Sequence, residues 1–362
     1  MSPLPGFSGP LLRRATVGLL ALAALWVPGG ARAVVPPAAE AERLTFAERH
    51  RAVQHGGFVR AANTSISCRT SGAPAASAPC LGARDGRAAA NGDFDMFYVD
   101  VDTDPNTYNS SRAEVRLPAG GRVTYARLYW GGNLRVGEQK PAKDNGRVLV
   151  AEPGGAYKEV LADSVVGHRV AHGADAFQAS ADVTRLVRES GAGLYTVAQV
   201  NVAMGRSAAG AWGGWTLVVA YENAAEPLRR LALWDGFEAL DRAGHEIRIR
   251  GLRVPAGATG KAGLVAYNGD RGRAGDSLSV SADRRAPSHL SDGANPRDDV
   301  LNSTVTGATG ARLPAYAQTL GYDSDVFELG AALRRGGDQL AFRLVSQQDA
   351  AWAGVLFVAV DA

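Results

Sequence analysis

The 362 residues carry 39 Lys and Arg against 36 Asp and Glu, and the whole excess sits at the N-terminus, where Arg13, Arg14 and Arg32 fall within 33 residues that hold no carboxylate. Residues 34–362 are therefore electrically balanced, which excludes the basic footprint of a nucleic-acid binder. Their length suits two ordinary domains better than one.

The N-terminus has the pattern of an export signal. Arg13 and Arg14 precede an apolar run from Val17 to Val27, Gly29 and Gly30 break it, and Ala31-Arg32-Ala33 supplies the small residues a signal peptidase needs. This predicts a signal peptide over 1–33, cleaved after Ala33. The apolar run is too short to span a bilayer, so the chain is expected to be secreted, with no membrane span after cleavage.

Residues 34–57 open on Val34-Val35-Pro36-Pro37 and continue into an Ala/Glu-rich stretch over 38–50, which reads as a linker with one short helix. Next come the only two cysteines, Cys68 and Cys80. In an exported chain such a pair forms a disulfide. From Phe58 onward, short β-rich runs alternate with Gly, Asn, Asp and Pro. Strands are expected at 97–99, 122–130, 147–151, 195–202, 215–221, 231–234, 246–254, 263–267, 339–345 and 354–360. One amphipathic helical turn or two is expected at 183–188. Many short strands with Gly-rich turns mean an all-β sandwich or jelly roll. The runs at 215–221 and 354–360 are apolar throughout, so they should be covered on both faces.

An internal repeat divides the chain. Leu117-Pro118-Ala119-Gly120 is echoed by Val254-Pro255-Ala256-Gly257, and Leu128 to Asn133 by Val265 to Asp270. Asp182 to Leu186 and Phe327 to Ala331 each lead towards a strand, Tyr195-Thr196-Val197 in one half and Leu340-Ala341-Phe342 in the other. Trp215 to Tyr221 then matches Gly354 to Val360. Four blocks in one order predict two tandem, related, jelly-roll-like β-sandwich units packed together, at 58–225 and 226–362.

Several of these segments also carry a resemblance. Residues 95–104 with Asn109-Ser110-Ser111, Leu128-Tyr129-Trp130-Gly131-Gly132, the run 213–222, Asp235-Gly236-Phe237, Gly269-Asp270, Gly275-Asp276-Ser277-Leu278, Asn295-Pro296, Asn302-Ser303 and the run 320–325 are its parts. Together they resemble the N-terminal region of large bacterial secreted and surface proteins that often continue into DUF11-type repeats. The resemblance covers roughly 90–360 and implies export, but it brings no catalytic residue with it. This chain lacks the repeats and any wall-sorting motif, so release, or retention by non-covalent contacts, is expected.

Among chemistry-bearing residues, Asp100 and Asp102 would share one face of a strand, with Asp104 at the following turn. With Asn106 or Asn109 their oxygens suit Ca2+; solvated or turn-forming Asp residues are the competing expectation. Pro105 and Ser111 stand where an EF-hand needs Gly and Glu, which excludes that loop. Asp323 and Asp325 are a second acidic pair. Gly275-Asp276-Ser277-Leu278 spells an esterase signature, but Ser279-Val280-Ser281 continues as strand, and no Asp-x-x-His follows His289. His168 and His172 have helical spacing without the intervening Glu of a zinc protease. Trp212, in a Gly-rich turn, is expected to be exposed and able to stack on a sugar. The chain thus reads as a non-enzymatic extracellular structural or adhesive module for a surface glycan or cell-envelope protein, stabilised by Ca2+. The alternative is a secreted hydrolase, a glycosidase ahead of a GDSL-type esterase.

Overall fold

The computed structural model describes residues 38–69, 74–171, 173–283, 285–307 and 310–362. The predicted leader, its cleavage point and His172 lie outside them. Strand β1 (Glu40–Ala41) and the long β2 (Leu44–Thr64) open the described chain. After β3 (Ile66–Cys68), helix α1 (Pro74–Arg84) and β4 (Met96–Tyr98) come β5 (Ser110–Val115), β6 (Arg122–Asn133), β7 (Arg147–Ala151), β8 (Lys158–Leu161), β9 (Ser164–Ala171) and β10 (Ala174–Asp182). Helix α2 (Thr184–Ser190) leads into β11 (Gly193–Ala198) and β12 (Gly213–Glu222). The remainder runs β13 (Leu228–Ala239), β14 (His245–Val254), β15 (Gly260–Tyr267), β16 (Ser277–Ala282), β17 (Ser288–Leu290), β18 (Arg312–Leu313), β19 (Tyr322–Glu328), β20 (Gly337–Val345) and β21 (Trp352–Asp361). The fold is all-β. Each of the ten expected strands is present, and α2 falls on the expected helical turn.

The linker expectation for 34–57 is wrong. Its described part runs into β2, a single strand 21 residues long. Ala, Glu and Arg favour a helix by weak local propensity, but tertiary pairing overrides such a preference. Here Leu44–His55 pairs antiparallel with β13, and Gly56–Thr64 pairs antiparallel with β12. Strand β2 therefore joins two wings of one ten-stranded sheet, in the order β1-β9-β10-β6-β12-β2-β13-β21-β15-β19.

The two wings face each other, and strand alternation shows how. On β6, Ala126, Leu128 and Trp130 enter one core while Tyr129 enters another. On β21, Leu356, Val358 and Val360 pack outward, whereas Val355 and Phe357 pack between the wings. Period-two alternation with both faces apolar is what a strand covered on both sides requires. A smaller sheet, β18-β5-β11-β7-β8, covers the outer face of the first wing, and β14-β20-β16-β17 covers that of the second. The result is four layers with a hydrophobic core between each adjacent pair, and a small fourth cluster of Ala220, Leu231 and Ala359. Thr216 on β12 meets the Tyr322 hydroxyl on β19 at 2.7 Å, and the Tyr267 hydroxyl on β15 donates to Gln178 on β10 at 3.0 Å, so polar bonds lock the inner layers.

Seven strands of the first half have counterparts in the second. β10-β6-β12 and β19-β15-β21 occupy equivalent places on either side of the β2–β13 pair, and β5-β11-β7-β8 has the same order as β14-β20-β16-β17. The described residues of 36–362 nevertheless form one compact unit rather than two separable ones.

Candidate functional site

Cys68 and Cys80 are bonded, with their Cα atoms 5.7 Å apart, and the bridge fastens α1 to the end of β3. Asp100, Asp102 and Asp104 are not on a strand but in the loop after β4. Their oxygens are used by that loop itself. Asp102 Oδ1 accepts from Asp104 N at 2.8 Å and Thr107 Oγ1 at 3.0 Å, and its Oδ2 accepts from the Tyr157 hydroxyl. Asp104 Oδ1 accepts from Asn106 N at 2.9 Å, and Asp100 Oδ1 accepts from Ser110 Oγ at 2.8 Å. These are turn-forming carboxylates. Asn109 is buried and bonds Val200 through both ends of its amide.

Trp212 corrects the sequence-based expectation. It is fully buried, 5.1 Å from Trp352 and 5.8 Å from Tyr267 between the inner layers, and cannot stack on an external sugar. The Gly residues beside it allow close packing of layers rather than exposure. Ser277 opens β16, which contains the strand expected at 279–281; with His289 it lines a shallow hollow. The His168 side chain lies outside the described residues.

The chemistry gathers elsewhere, at one end of the second half. Three loops meet there: 268–276 after β15, 291–303 after β17, and 346–351 after β20. Residues 90–93 from the first half complete a pocket of about 310 Å3, lined among others by Asn91, Asp93, Asn268, Asp270, Arg273 and Asp349. Local rules shape the first loop. Asn268 takes a left-handed φ of 62°, which Asn tolerates better than most residues, and at Gly269 a Cβ would lie 2.1 Å from the Leu301 carbonyl.

The lining is tightly cross-linked. Asn91 Nδ2 donates to Asn268 Oδ1 at 2.8 Å, and Asp270 N donates to Asp349 Oδ2 at 2.9 Å. Arg273 stands 3.4 Å from Asp270 on the solvent side. Burial, then the neighbouring Asp349, raises the Asp270 pKa to about 7. Burial, then Asp276, raises that of Asp349 to about 8. Behind the pocket wall Asp276 is pushed up to about 6, again by burial, and Asp299 is also raised. Desolvation disfavours the charged form, and like charges in contact add to it. Asp323 and Asp325 are likewise buried, and hydrogen bonds from Thr304 and Thr306 hold one oxygen of each.

Four oxygens in this cluster are sealed from solvent and accept no hydrogen bond: both of Asp276, Oδ1 of Asp299 and Oδ1 of Asp349. The Asp349 carboxyl, Ser346 and the Gln347 amide stand beside Asp276, yet the Ser346 hydroxyl donates to the Asp349 carbonyl at 2.9 Å. Among the described residues, no three Asp, Glu, His or Cys side chains are grouped so as to hold a metal ion. Sequence reasoning missed this site because its acids are scattered over three loops. The turns Asn268-Gly269-Asp270 and Gly275-Asp276 were its only local signal.

No protein-family model matches the chain, and no curated protein sequence does. Weak structural likenesses exist. A structure of Sulfolobus turreted icosahedral virus is 9% identical, with a TM-score of 0.21 over 69% of this chain and 85% of that one. Quercetin 2,3-dioxygenase from Acinetobacter baumannii is 10% identical, with a TM-score of 0.21 over 89% of this chain and 87% of that one. PNGase F, a glycosylasparaginase from Flavobacterium meningosepticum, is 11% identical, with a TM-score of 0.19 over 73% of this chain and 94% of that one. Overlaps of this size establish neither a common fold nor a common activity.

Proposed function

We propose that this chain is an exported, non-catalytic β module that binds a hydroxyl-rich ligand, a surface glycan, in the pocket beside Asp270. The observation that carries the proposal is the lining. Asn91, Asn268, Asp93, Asp270, Arg273 and Asp349 offer donors and acceptors side by side in one concave site. A sugar's hydroxyls both give and accept hydrogen bonds, and such a mixed polar wall suits them. Loops held between packed sheets lose little freedom on binding, which favours affinity. The disulfide supports an oxidising exterior.

A glycosidase is the second reading, and one observation favours it. Burial raises Asp270 to about 7 and Asp349 to about 8, into the range where a general acid works near neutral pH. One set of measurements separates the two. The cleaved chain is screened on a glycan array, and any hit is titrated calorimetrically against Arg273→Ala and Asp93→Asn. The binding reading expects a hit whose affinity falls about 10-fold in each variant, equivalent to one lost charged contact, with the glycan intact afterwards. Release of reducing ends would establish the hydrolase instead, and an array without hits would remove the glycan reading.

A further inference from the structure

We propose that Asp276 and Asp349 bind a divalent cation, Ca2+, which clasps the loops 268–276 and 346–351 together. Asp276 is 1% exposed and Asp349 7%, and the two side chains stand against each other. When both carboxylates are ionised, in contact and out of water, they repel each other strongly, so the pair holds either a proton or a compensating positive charge. Among the described residues no Lys or Arg is seen to form an ion pair with Asp276 or Asp349; Arg273 attracts Asp349 only from the pocket side, where it is half-exposed and engaged with Asp270.

The unused acceptors point to the same answer. Both oxygens of Asp276 and Oδ1 of Asp349 are buried without a well-formed hydrogen bond, with Ser346, the Gln347 amide and the other carboxyl only alongside, although buried carboxylate oxygens are ordinarily satisfied. A hard, oxygen-only donor set with no nitrogen or sulfur suits Ca2+ and not a transition metal. Two carboxylates provide the charge, and main-chain and water oxygens fill the remaining positions, as is usual for Ca2+. The surrounding backbone is built to hold them. Gly275 N and Asp276 N donate to the Asp298 carbonyl at 2.6 and 3.1 Å, and Gly272 N donates to Asp299 Oδ2 at 2.9 Å. The other occupant that could relieve the pair is a single shared proton, so the experiment must separate the two.

Calcium chloride is titrated calorimetrically into the whole cleaved chain after treatment with EGTA. Thermal unfolding is then followed at about pH 8 with millimolar calcium or with EGTA, for the wild type, Asp276→Asn and Asp349→Asn. The expected result is one calcium site, a wild-type Tm higher by about 3–6 °C with calcium, and loss of both effects in Asp276→Asn, whose circular dichroism stays that of the wild type. Asp349 also receives the Asp270 amide, so Asp276→Asn decides the matter if Asp349→Asn does not fold. An absence of binding heat, together with equal Tm values in calcium and EGTA, would overturn the proposal. In that case Asp276→Asn, which mimics a shared proton, would be as stable as the wild type or more so. Loss of the calcium site leaves the glycan proposal standing, because that proposal is tested through Arg273 and Asp93.

Discussion

Arg49 grips Asp235 with two parallel hydrogen bonds, Nε to Oδ2 at 2.8 Å and Nη2 to Oδ1 at 2.9 Å. Arg49 lies on β2 and Asp235 on β13, and the carboxylate also accepts the Tyr129 hydroxyl of the opposite wing at 3.0 Å, with Arg127 at 3.6 Å. One buried acid thus serves strand pairing and layer packing together. Asp235→Ala should cost about 3–5 kcal/mol, since it leaves buried cationic and hydroxyl groups without their partner. Arg122→Ala, which breaks an exposed pair with Glu222, should stay within about 1 kcal/mol. Urea denaturation of both variants checks the contrast, and equal effects would show that Asp235 is not a clamp.

Gly263 on β15 lies opposite Phe357 on β21, and the ring covers it so closely that a Cβ at 263 would stand 2.0 Å from Phe357 Cζ. Gly263→Ala should therefore destabilise by about 1–3 kcal/mol, the usual cost of overpacking. Phe357→Leu should cost stability alone yet relieve part of the clash in the double variant. A double-mutant cycle measures this; additive effects would mean that the contact is not the cause.

The strands were legible in the sequence because runs such as Trp215 to Tyr221 combine β-branched and aromatic residues without a charge. Their burial on both faces was legible for the same reason. The repeated blocks fall on corresponding strands, Leu128 to Asn133 on β6 and Val265 to Tyr267 on β15. What failed were properties set by distant partners. Glu48 and Arg51 look helical until β13 pairs with them. Trp212 looks exposed until Trp352 packs on it. Neighbouring acids such as Asp102 and Asp104 attracted notice and proved to be turn formers, whereas Asp276 and Asp349, 73 positions apart by their numbers, meet only through the fold.

The Cys68–Cys80 bridge closes a loop across a sequence separation of 12, and Arg84 adds bonds from α1 to Ser67 Oγ at 3.1 Å and to the Cys68 carbonyl at 2.5 Å. Removing the bridge frees the unfolded chain, and a loop of this length corresponds to about 2–3 kcal/mol. The Cys68→Ser, Cys80→Ser double variant should show that loss in chemical denaturation, and adding a reductant should not lower its midpoint further. If the double variant matches the wild type, Arg84 and the surrounding core hold α1 unaided.

His50 on β2 stacks face to face on Tyr125, with ring centroids 4.3 Å apart, and its Nε2 is buried without a hydrogen bond. Burial lowers its pKa, against the opposing pull of Asp182 and then Glu48. The sign follows from linkage. With a folded pKa below the unfolded value of about 6.5, the unfolded chain takes up the proton first as pH falls, so His50 favours unfolding in acid. Its contribution is neutral above about pH 7 and turns destabilising as pH drops through the ordinary histidine range. The raised carboxylates of the pocket act in the opposite direction, so the effect is read as a difference between variants. Between about pH 7.5 and 5.5, the wild-type Tm should fall relative to that of His50→Phe, which keeps the stack on Tyr125 but cannot take up a proton. Parallel Tm curves for the two proteins across that range would show that His50 titrates alike in the folded and unfolded chains.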